Sequence, residues 1–186
     1  MNNYFIILAA GKGKRFNSKV PKAYYLYKGK PLIQHSIDKV KNYKKINKIL
    51  IVINNKHKKF INKINTKNIK IIIGGKTRAE SSFKALNSIK NLNVSNVLIH
   101  DAARPHFSLN LLDKLFVNLK YYKCVVPTIK TNDSIKFKNK NQIINLKRDN
   151  IYLTQTPQAF HFKELYKLQK DQSSIITDDA NLFISA

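Results

Sequence analysis

Tyr4-Phe5-Ile6-Ile7-Leu8 runs without a polar break into Ala9-Ala10-Gly11-Lys12-Gly13-Lys14-Arg15. A short, uniformly apolar run of this kind reads as a strand covered on both faces. The Ala and Gly that follow let the backbone approach a ligand with no Cβ in the way, and their successive N–H groups form an anion-binding nest. Arg15 and, after Pro21, Lys22 set two cations around the same loop. The spacing is neither the G-x-G-x-x-G of dinucleotide sites nor a Walker A, which needs Gly-Lys-Ser/Thr. Phosphate binding is the chemistry this loop supports; the plainer alternative is a tight Gly turn with solvated charges.

Outward from this stretch, apolar runs alternate with helical spacing. Ile49–Ile53, Ile69–Ile73, Val97–Ile99 and Val125–Val126 read as further strands. Leu32–Val40, Lys56–Ile64, Ala79–Ile89 and Leu109–Leu119 read as helices between them. This order predicts an α/β fold, a parallel sheet with helices on both faces, with ligands bound beyond the carboxyl ends of its strands. Residues 128–150 break the pattern: polar and Asn-rich, they predict a two-stranded excursion turning near Lys138–Asn141. An isolated hairpin is barely stable in water, so packing against another subunit is expected of it. Phe162–Gln169 and Asp178–Ile184 read as helical, with Thr177 as N-cap. No repeat or Pro/Gly-rich linker divides the chain, and a single domain over 1–186 is expected.

The 186 residues carry a formal charge of +25, and 31 of the 35 basic residues are Lys. With 22 Asn as well, this is the composition an AT-rich coding sequence supplies, and the lysines are spread along the whole chain. Charge alone therefore makes a weak case for nucleic acid. No run of 18 apolar residues is present, which excludes a membrane-spanning helix. The early strand predicts no leader peptide ahead of it, and a cytoplasmic location is expected. The single Cys124 excludes an internal disulfide framework and a Cys-rich zinc site; ahead of an apolar strand, it reads as core rather than nucleophile. His35, His57, His100, His106 and His161 show no metal-ligand spacing and read as structural or solvated. The four arginines, Arg15, Arg78, Arg104 and Arg148, mark places where a planar fork onto an oxyanion is wanted rather than a generic cation.

Ala-Ala-Gly-x-Gly-x-Arg, five residues, then Pro-Lys, resembles the signature of sugar-phosphate nucleotidyltransferases. Further segments narrow it: Gly74-Gly75-Lys76-Thr77-Arg78-Ala79-Glu80-Ser81, His100-Asp101-Ala102-Ala103-Arg104-Pro105, Asp133-Ser134-Ile135-Lys136, Thr156-Pro157-Gln158-Ala159-Phe160 and Thr177-Asp178-Asp179-Ala180. The ordered set, from Phe5 to about Leu182, resembles the 2-C-methyl-D-erythritol 4-phosphate cytidylyltransferases. That resemblance implies a Rossmann-like, mostly parallel sheet with helices on both faces and a protruding β-arm, the nucleotide-diphospho-sugar transferase type.

The resemblance also implies roles. Ala9, Ala10, Gly11, Gly13 and Lys14 would cradle the CTP triphosphate, with Arg15 and Lys22 stabilising charge at the α-phosphorus. Gly74, Gly75 and Ser81 would hold the cytosine, and Lys76 stands where the family has an acidic residue, leaving base contact there to backbone. Asp101, Ala102 and Arg104 would lie between nucleotide and acceptor, Asp101 also steering Mg²⁺. Residues 128–150 would be the dimerisation arm of a homodimer, carrying Ser134 (usually Thr) and Arg148 to the partner's acceptor site, and Thr177 would be a further acceptor contact. Arg78 would orient its loop. The acceptor's phosphate would attack the α-phosphorus in line and expel pyrophosphate, with no general base required. The resemblance further implies a final strand and helix with an Asn-Ile-Lys segment beyond Ala186. An incomplete chain, a piece of a fused one and a shortened enzyme all remain open, and weaker activity than in full-length relatives is expected. A ribitol 5-phosphate cytidylyltransferase and a non-catalytic binder of nucleotides or polyanions are the competing readings; Ala10 and Ala103 favour methylerythritol phosphate.

Overall fold

The computed structural model describes residues 1–11, 13, 18, 20–171 and 178–184. Strand β1 (Asn3–Ala9) divides its side chains between two cores because successive residues of a strand point to opposite faces. Phe5, Ile7 and Ala9 join Ile33, Ile37 and Val40 of helix α1 (Leu32–Lys41) and Leu112 and Leu115 of α3 (Leu109–Asn118). Tyr4 and Ile6 join Ala85 and Leu86 of α2 (Arg78–Asn87) and Leu165 of α4 (Phe162–Lys170). Helices therefore cover both faces of the sheet.

That sheet has six strands in the order β5–β4–β1–β6–β12–β7, where β4 is Lys48–Ile53, β5 Ile69–Ile73, β6 Asn96–Asp101, β7 Cys124–Val125 and β12 Gln158–His161. Neighbours β5, β4, β1 and β6 are parallel. From β1 the chain builds outward through β4 and β5, then returns to the other side of β1 with β6. The order reverses between β1 and β6, and the crevice at such a switch point is where open α/β sheets take ligands. A small ribbon of β2 (Leu26–Tyr27) and β3 (Lys30–Pro31) precedes α1.

The expected parallel sheet is extended by one strand the sequence reading left unassigned. β12 runs antiparallel to both β6 and β7, with Ala159 and Phe160 fully buried. Strand β5 is not covered on both faces as expected: it is the sheet edge, and Ile71 and Ile73 are exposed. The helix expected over Lys56–Ile64 is a 3₁₀ segment, Asn55–Lys63, with no fully buried residue; Phe60 and Ile61 pack against the core from outside. The terminal helix is shorter than 178–184. It spans Asn181–Ile184 (α5), with the Asp178 carboxylate accepting from the Asn181 N–H at 3.1 Å. Thr177, expected as its cap, lies outside the described residues.

The 128–150 excursion contains the expected hairpin: β9 (Ile135–Asn139) pairs antiparallel with β10 (Gln142–Leu146), and Lys140 in the turn has φ 49°. A second ribbon, β8 (Thr128–Lys130) with β11 (Tyr152–Thr154), connects the hairpin to the sheet.

Candidate nucleotide and acceptor site

Leu8 of β1 lies opposite Asp101 of β6, and the Ala102 N–H donates to the Leu8 carbonyl at 3.1 Å. The first loop and the His-Asp-Ala-Ala-Arg-Pro turn therefore leave the sheet side by side. Ala9 and Ala10 are buried; Gly11 is exposed, and among the described residues nothing stands within 4 Å of where its Cβ would be. Gly13 has φ 59°, a conformation that costs glycine little. Lys14 and Arg15 lie outside the described residues.

Gly74 closes onto this loop. A Cβ there would meet Ser81 Oγ at 2.7 Å, Ala10 Cβ at 2.8 Å and Val52 Cγ1 at 3.0 Å, so only glycine allows the approach. At Gly75 a Cβ would come within 2.3 Å of Glu80 Cβ. Ser81, buried, accepts from the Gly75 N–H (3.1 Å) and donates to the Thr77 carbonyl (2.9 Å), so its hydroxyl shapes the Gly-Gly loop from beneath. Thr77 caps α2 by accepting from the Glu80 N–H, while the Glu80 carboxylate takes the N–H of Lys76, the residue ahead of the cap. Lys76 thus offers neither an acidic side chain nor an unbonded N–H.

Asp101 stands between two guanidinium groups. Arg78 Nε is 3.5 Å from one carboxylate oxygen and Arg104 Nε 3.4 Å from the other. Arg78 also reaches Asp179 at 2.5 Å, a residue with no exposed surface whose second oxygen accepts from Gln169 Nε2. Burial works against the Arg78 charge, but Asp179 and then Asp101 outweigh it and hold the group above its ordinary pKa. Arg104, half-exposed, donates to Gln155 Oε1 at 2.8 Å and lines a cavity of about 500 Å³ with His106, Gln155 and Thr156.

Beneath this turn His100 is fully buried, bonded to Ser36 and Thr156; burial, opposed by the Arg104 backbone and aided by the charges of Arg104 and Lys39, pushes its imidazole down to about 3. Lys39 of α1 donates to the carbonyls of Pro105 (2.9 Å) and Phe107 (2.5 Å) and lies 4.6 Å from the Phe107 ring centroid, clamping the far end of the turn.

Ala9, Ala10, Gly74, Gly75, Ser81, Asp101, Ala102 and Arg104 are thus gathered at one rim, on the C-terminal ends of β1, β4, β5 and β6. Lys22 is exposed at the start of a 3₁₀ turn, Lys22–Tyr24, anchored by buried Ala23 and Tyr24. Ser134 and Arg148 are not joined to this rim: both are exposed on the arm, Arg148 donates to the Asn132 carbonyl at 3.1 Å, and among the described residues no hydrogen bond or ion pair links either to the Asp101 cluster. Sequence reasoning missed Ser36, Lys39, Gln155 and Asp179 as partners of the site, and assigned no task to Thr156. For Thr156 and Asp179 the signal was present in the Thr-Pro-Gln and Thr-Asp-Asp-Ala segments; Ser36, Lys39 and Gln155 act through contacts distant in sequence, and no local pattern marks them. Cys124 is half-buried against the second core, and burial, reinforced by Asp178 and Asp179, pushes its thiol up to about 12.

Comparison with known proteins agrees with this layout. The family model for 2-C-methyl-D-erythritol 4-phosphate cytidylyltransferase matches residues 4–186. A bifunctional enzyme IspD/IspF of Pelagibacter ubique is 61% identical over 186 residues, all of this chain and 50% of that protein, so the chain spans half of that relative's length. A 2-C-methyl-D-erythritol 4-phosphate cytidylyltransferase of Thermosipho melanesiensis is 34% identical over 99% of this chain and 85% of its own. Among solved structures, 4-diphosphocytidyl-2C-methyl-D-erythritol synthase of Anaerococcus prevotii superposes with a TM-score of 0.85 at 30% identity, covering 99% of this chain and 82% of that one. The bifunctional IspDF of Campylobacter jejuni gives 0.85 at 34%, covering 100% and 47%. With residues 4–186 matched by the family model, this chain belongs to the 2-C-methyl-D-erythritol 4-phosphate cytidylyltransferase family.

Proposed function

We propose that this chain transfers the cytidylyl group of CTP to 2-C-methyl-D-erythritol 4-phosphate and releases pyrophosphate. The observation that carries the reading is the adjacency, at the β1/β6 switch point, of the glycine segment that follows β1 and a carboxylate flanked by two arginines. Ala9, Ala10, Gly11, Gly13 and Lys14 cradle the triphosphate, and the Gly74–Gly75 loop, shaped by Ser81, takes the base. A phosphate oxygen of the acceptor, already ionised near neutrality, attacks the α-phosphorus. The new P–O bond forms as the bond to the β-phosphate bridging oxygen breaks, and pyrophosphate leaves with that electron pair. The protein positions two polyanions and neutralises growing charge. Lys22 and Arg15 do this at the α-phosphorus, and Arg104 faces the acceptor.

Among the described residues no group of three His, Cys, Asp or Glu side chains could hold a metal ion alone. Asp101, about a third exposed, fits Mg²⁺ held mainly by substrate phosphates, which takes one or two carboxylates from protein. When bound there, the ion supplies charge neutralisation between the phosphates.

Ser134 and Arg148 sit on an arm with Phe137, Ile143, Ile144, Tyr152 and Leu153 exposed. These apolar groups support a homodimer in which each arm completes the other copy's acceptor site. Among the described residues no helix is long and apolar enough to cross a membrane.

The test is pyrophosphate release from CTP with methylerythritol phosphate and, separately, with ribitol 5-phosphate. Release is expected with the first, falling roughly 10²–10³-fold in Lys22→Ala, the scale of one lost charge-stabilising group. Preference for ribitol 5-phosphate would overturn the acceptor assignment, and release with neither would overturn the activity.

A further inference from the structure

Behind Asp101 and Arg104 a hydrogen-bonded line crosses from α1 to the loop ahead of β12. Ser36 Oγ is 3.3 Å from His100 Nε2, and His100 Nδ1 is 2.9 Å from Thr156 Oγ1. Thr156 Oγ1 also accepts from the Asp101 N–H at 3.3 Å. Ser36 and His100 have no exposed surface, and the imidazole packs between Phe5 and Phe107, with centroids at 5.7 and 4.6 Å.

Burying a polar ring among phenylalanines is costly unless both nitrogens are bonded. A phenyl ring would fill the same volume without that cost, so packing alone does not account for a histidine here. What the imidazole adds is a fixed link from helix α1 to one hydroxyl. A threonine hydroxyl offers three hydrogen-bonding positions, one donor and two acceptors. The Asp101 N–H and His100 occupy two. The third is left for the cavity that Thr156 lines beside Arg104 and Gln155.

We propose that His100 is a positioning residue: it holds the Thr156 hydroxyl against the Asp101 amide, so that the hydroxyl's remaining position is aimed at a hydroxyl group of the acceptor. The proposal rests on the acceptor reading given above. A polyol offers hydroxyls that can donate or accept, so one pre-aimed partner improves orientation of the acceptor relative to the α-phosphorus. CTP contacts, on the other side of Asp101, are not involved.

The test is a double-mutant cycle on His100→Phe, which keeps the packing and removes the bonds to Ser36, Thr156 and the Arg104 backbone, and Thr156→Val, which keeps the shape and removes the hydroxyl. Two quantities are read: hydrogen exchange at the Asp101 amide in the free protein, and KM for each substrate. Each single variant is expected to speed exchange at Asp101 and to raise the acceptor KM roughly tenfold, the scale of one lost hydrogen bond to a positioned group. KM for CTP should stay within about twofold. The double variant should be no worse than the worse single one. Additive effects, or Asp101 exchange unchanged by His100→Phe, overturn the proposal, as does an equal rise in both KM values, which is what a loosened core would give. If His100→Phe does not fold, Ser36→Ala cuts the line at its other end, and its effect on the acceptor KM must vanish in the Thr156→Val background; persistence there overturns the proposal. Absence of pyrophosphate release in the unaltered chain would defeat the activity reading, while the exchange measurement would still decide whether His100 holds Thr156 to Asp101.

Discussion

Asp179 carries a carboxylate with no solvent exposure, balanced by Arg78 at 2.5 Å and by Gln169. Deleting one partner of a buried pair leaves the other charged and desolvated, which costs about 3–5 kcal/mol. Arg78→Ala is therefore expected to lower unfolding stability by about that amount in urea titration. Arg78→Lys should recover only part, because an ammonium cannot span Asp179 and Asp101 as a planar fork does. A loss under 1 kcal/mol for Arg78→Ala would show that water reaches Asp179. Cys124 makes a second case at this scale. Its thiol, pushed up to about 12 chiefly by burial, holds its proton where an ordinary cysteine has begun to lose it. Since only the thiolate attacks, alkylation at pH 8 should run at least about 10²-fold slower than in free cysteine and keep rising beyond pH 10. A plateau near pH 9, followed by mass spectrometry, would contradict this.

Elements decide how well those residues are held. α2 begins at an N-cap, Thr77 taking the Glu80 N–H at 3.0 Å, and its first residue is Arg78. Thr77→Ala should cost about 1 kcal/mol of stability. Because the cap also fixes the Gly74–Gly75 loop through Ser81 and the Thr77 carbonyl, KM for CTP should rise as well, and a stability loss with unchanged KM would separate cap from loop. This element was legible beforehand: its helical spacing, the Gly pair and Arg78 lie within 16 residues of sequence. So was β1, a local apolar run ending at glycine. β12 was not, since Gln158–His161 is four residues of mixed polarity made a strand by pairing with β6, some 60 residues earlier. The Arg78–Asp179 pair, 101 residues apart, carries no local signal either. His100 shows the same limit: a buried imidazole and a solvated one look alike until Ser36 and Thr156 are placed on either side of it. The nucleotide half of the candidate site was readable because it is built from contiguous loops; its supports were not, because they come from other elements.

At the scale of the whole molecule the arm and the charge pull in opposite directions. Phe137 and Ile144 are cross-strand partners, 51% and 44% exposed, on a hairpin too small to be stable by itself in water. Burying that face against a second copy removes the exposed apolar surface, but it also brings together two chains of +25 each. Repulsion between them falls off steeply as salt is added, the Debye length shrinking from about 30 Å at 0.01 M to about 8 Å at 0.15 M. Sedimentation velocity should therefore find a dimer at 0.15 M salt that loosens at 0.01 M, the reverse of an assembly held by ion pairs. Phe137→Asp with Ile144→Asp should leave a monomer whose sheet and helices are unchanged by circular dichroism, because neither side chain enters the two cores. If, as proposed, Ser134 and Arg148 serve the other copy's acceptor site, pyrophosphate release should be lost together with the dimer, and mixing this variant with a folded Lys22→Ala chain should not restore it. A doubly substituted chain that stays monomeric yet turns over CTP at the unaltered rate would show that each copy works alone.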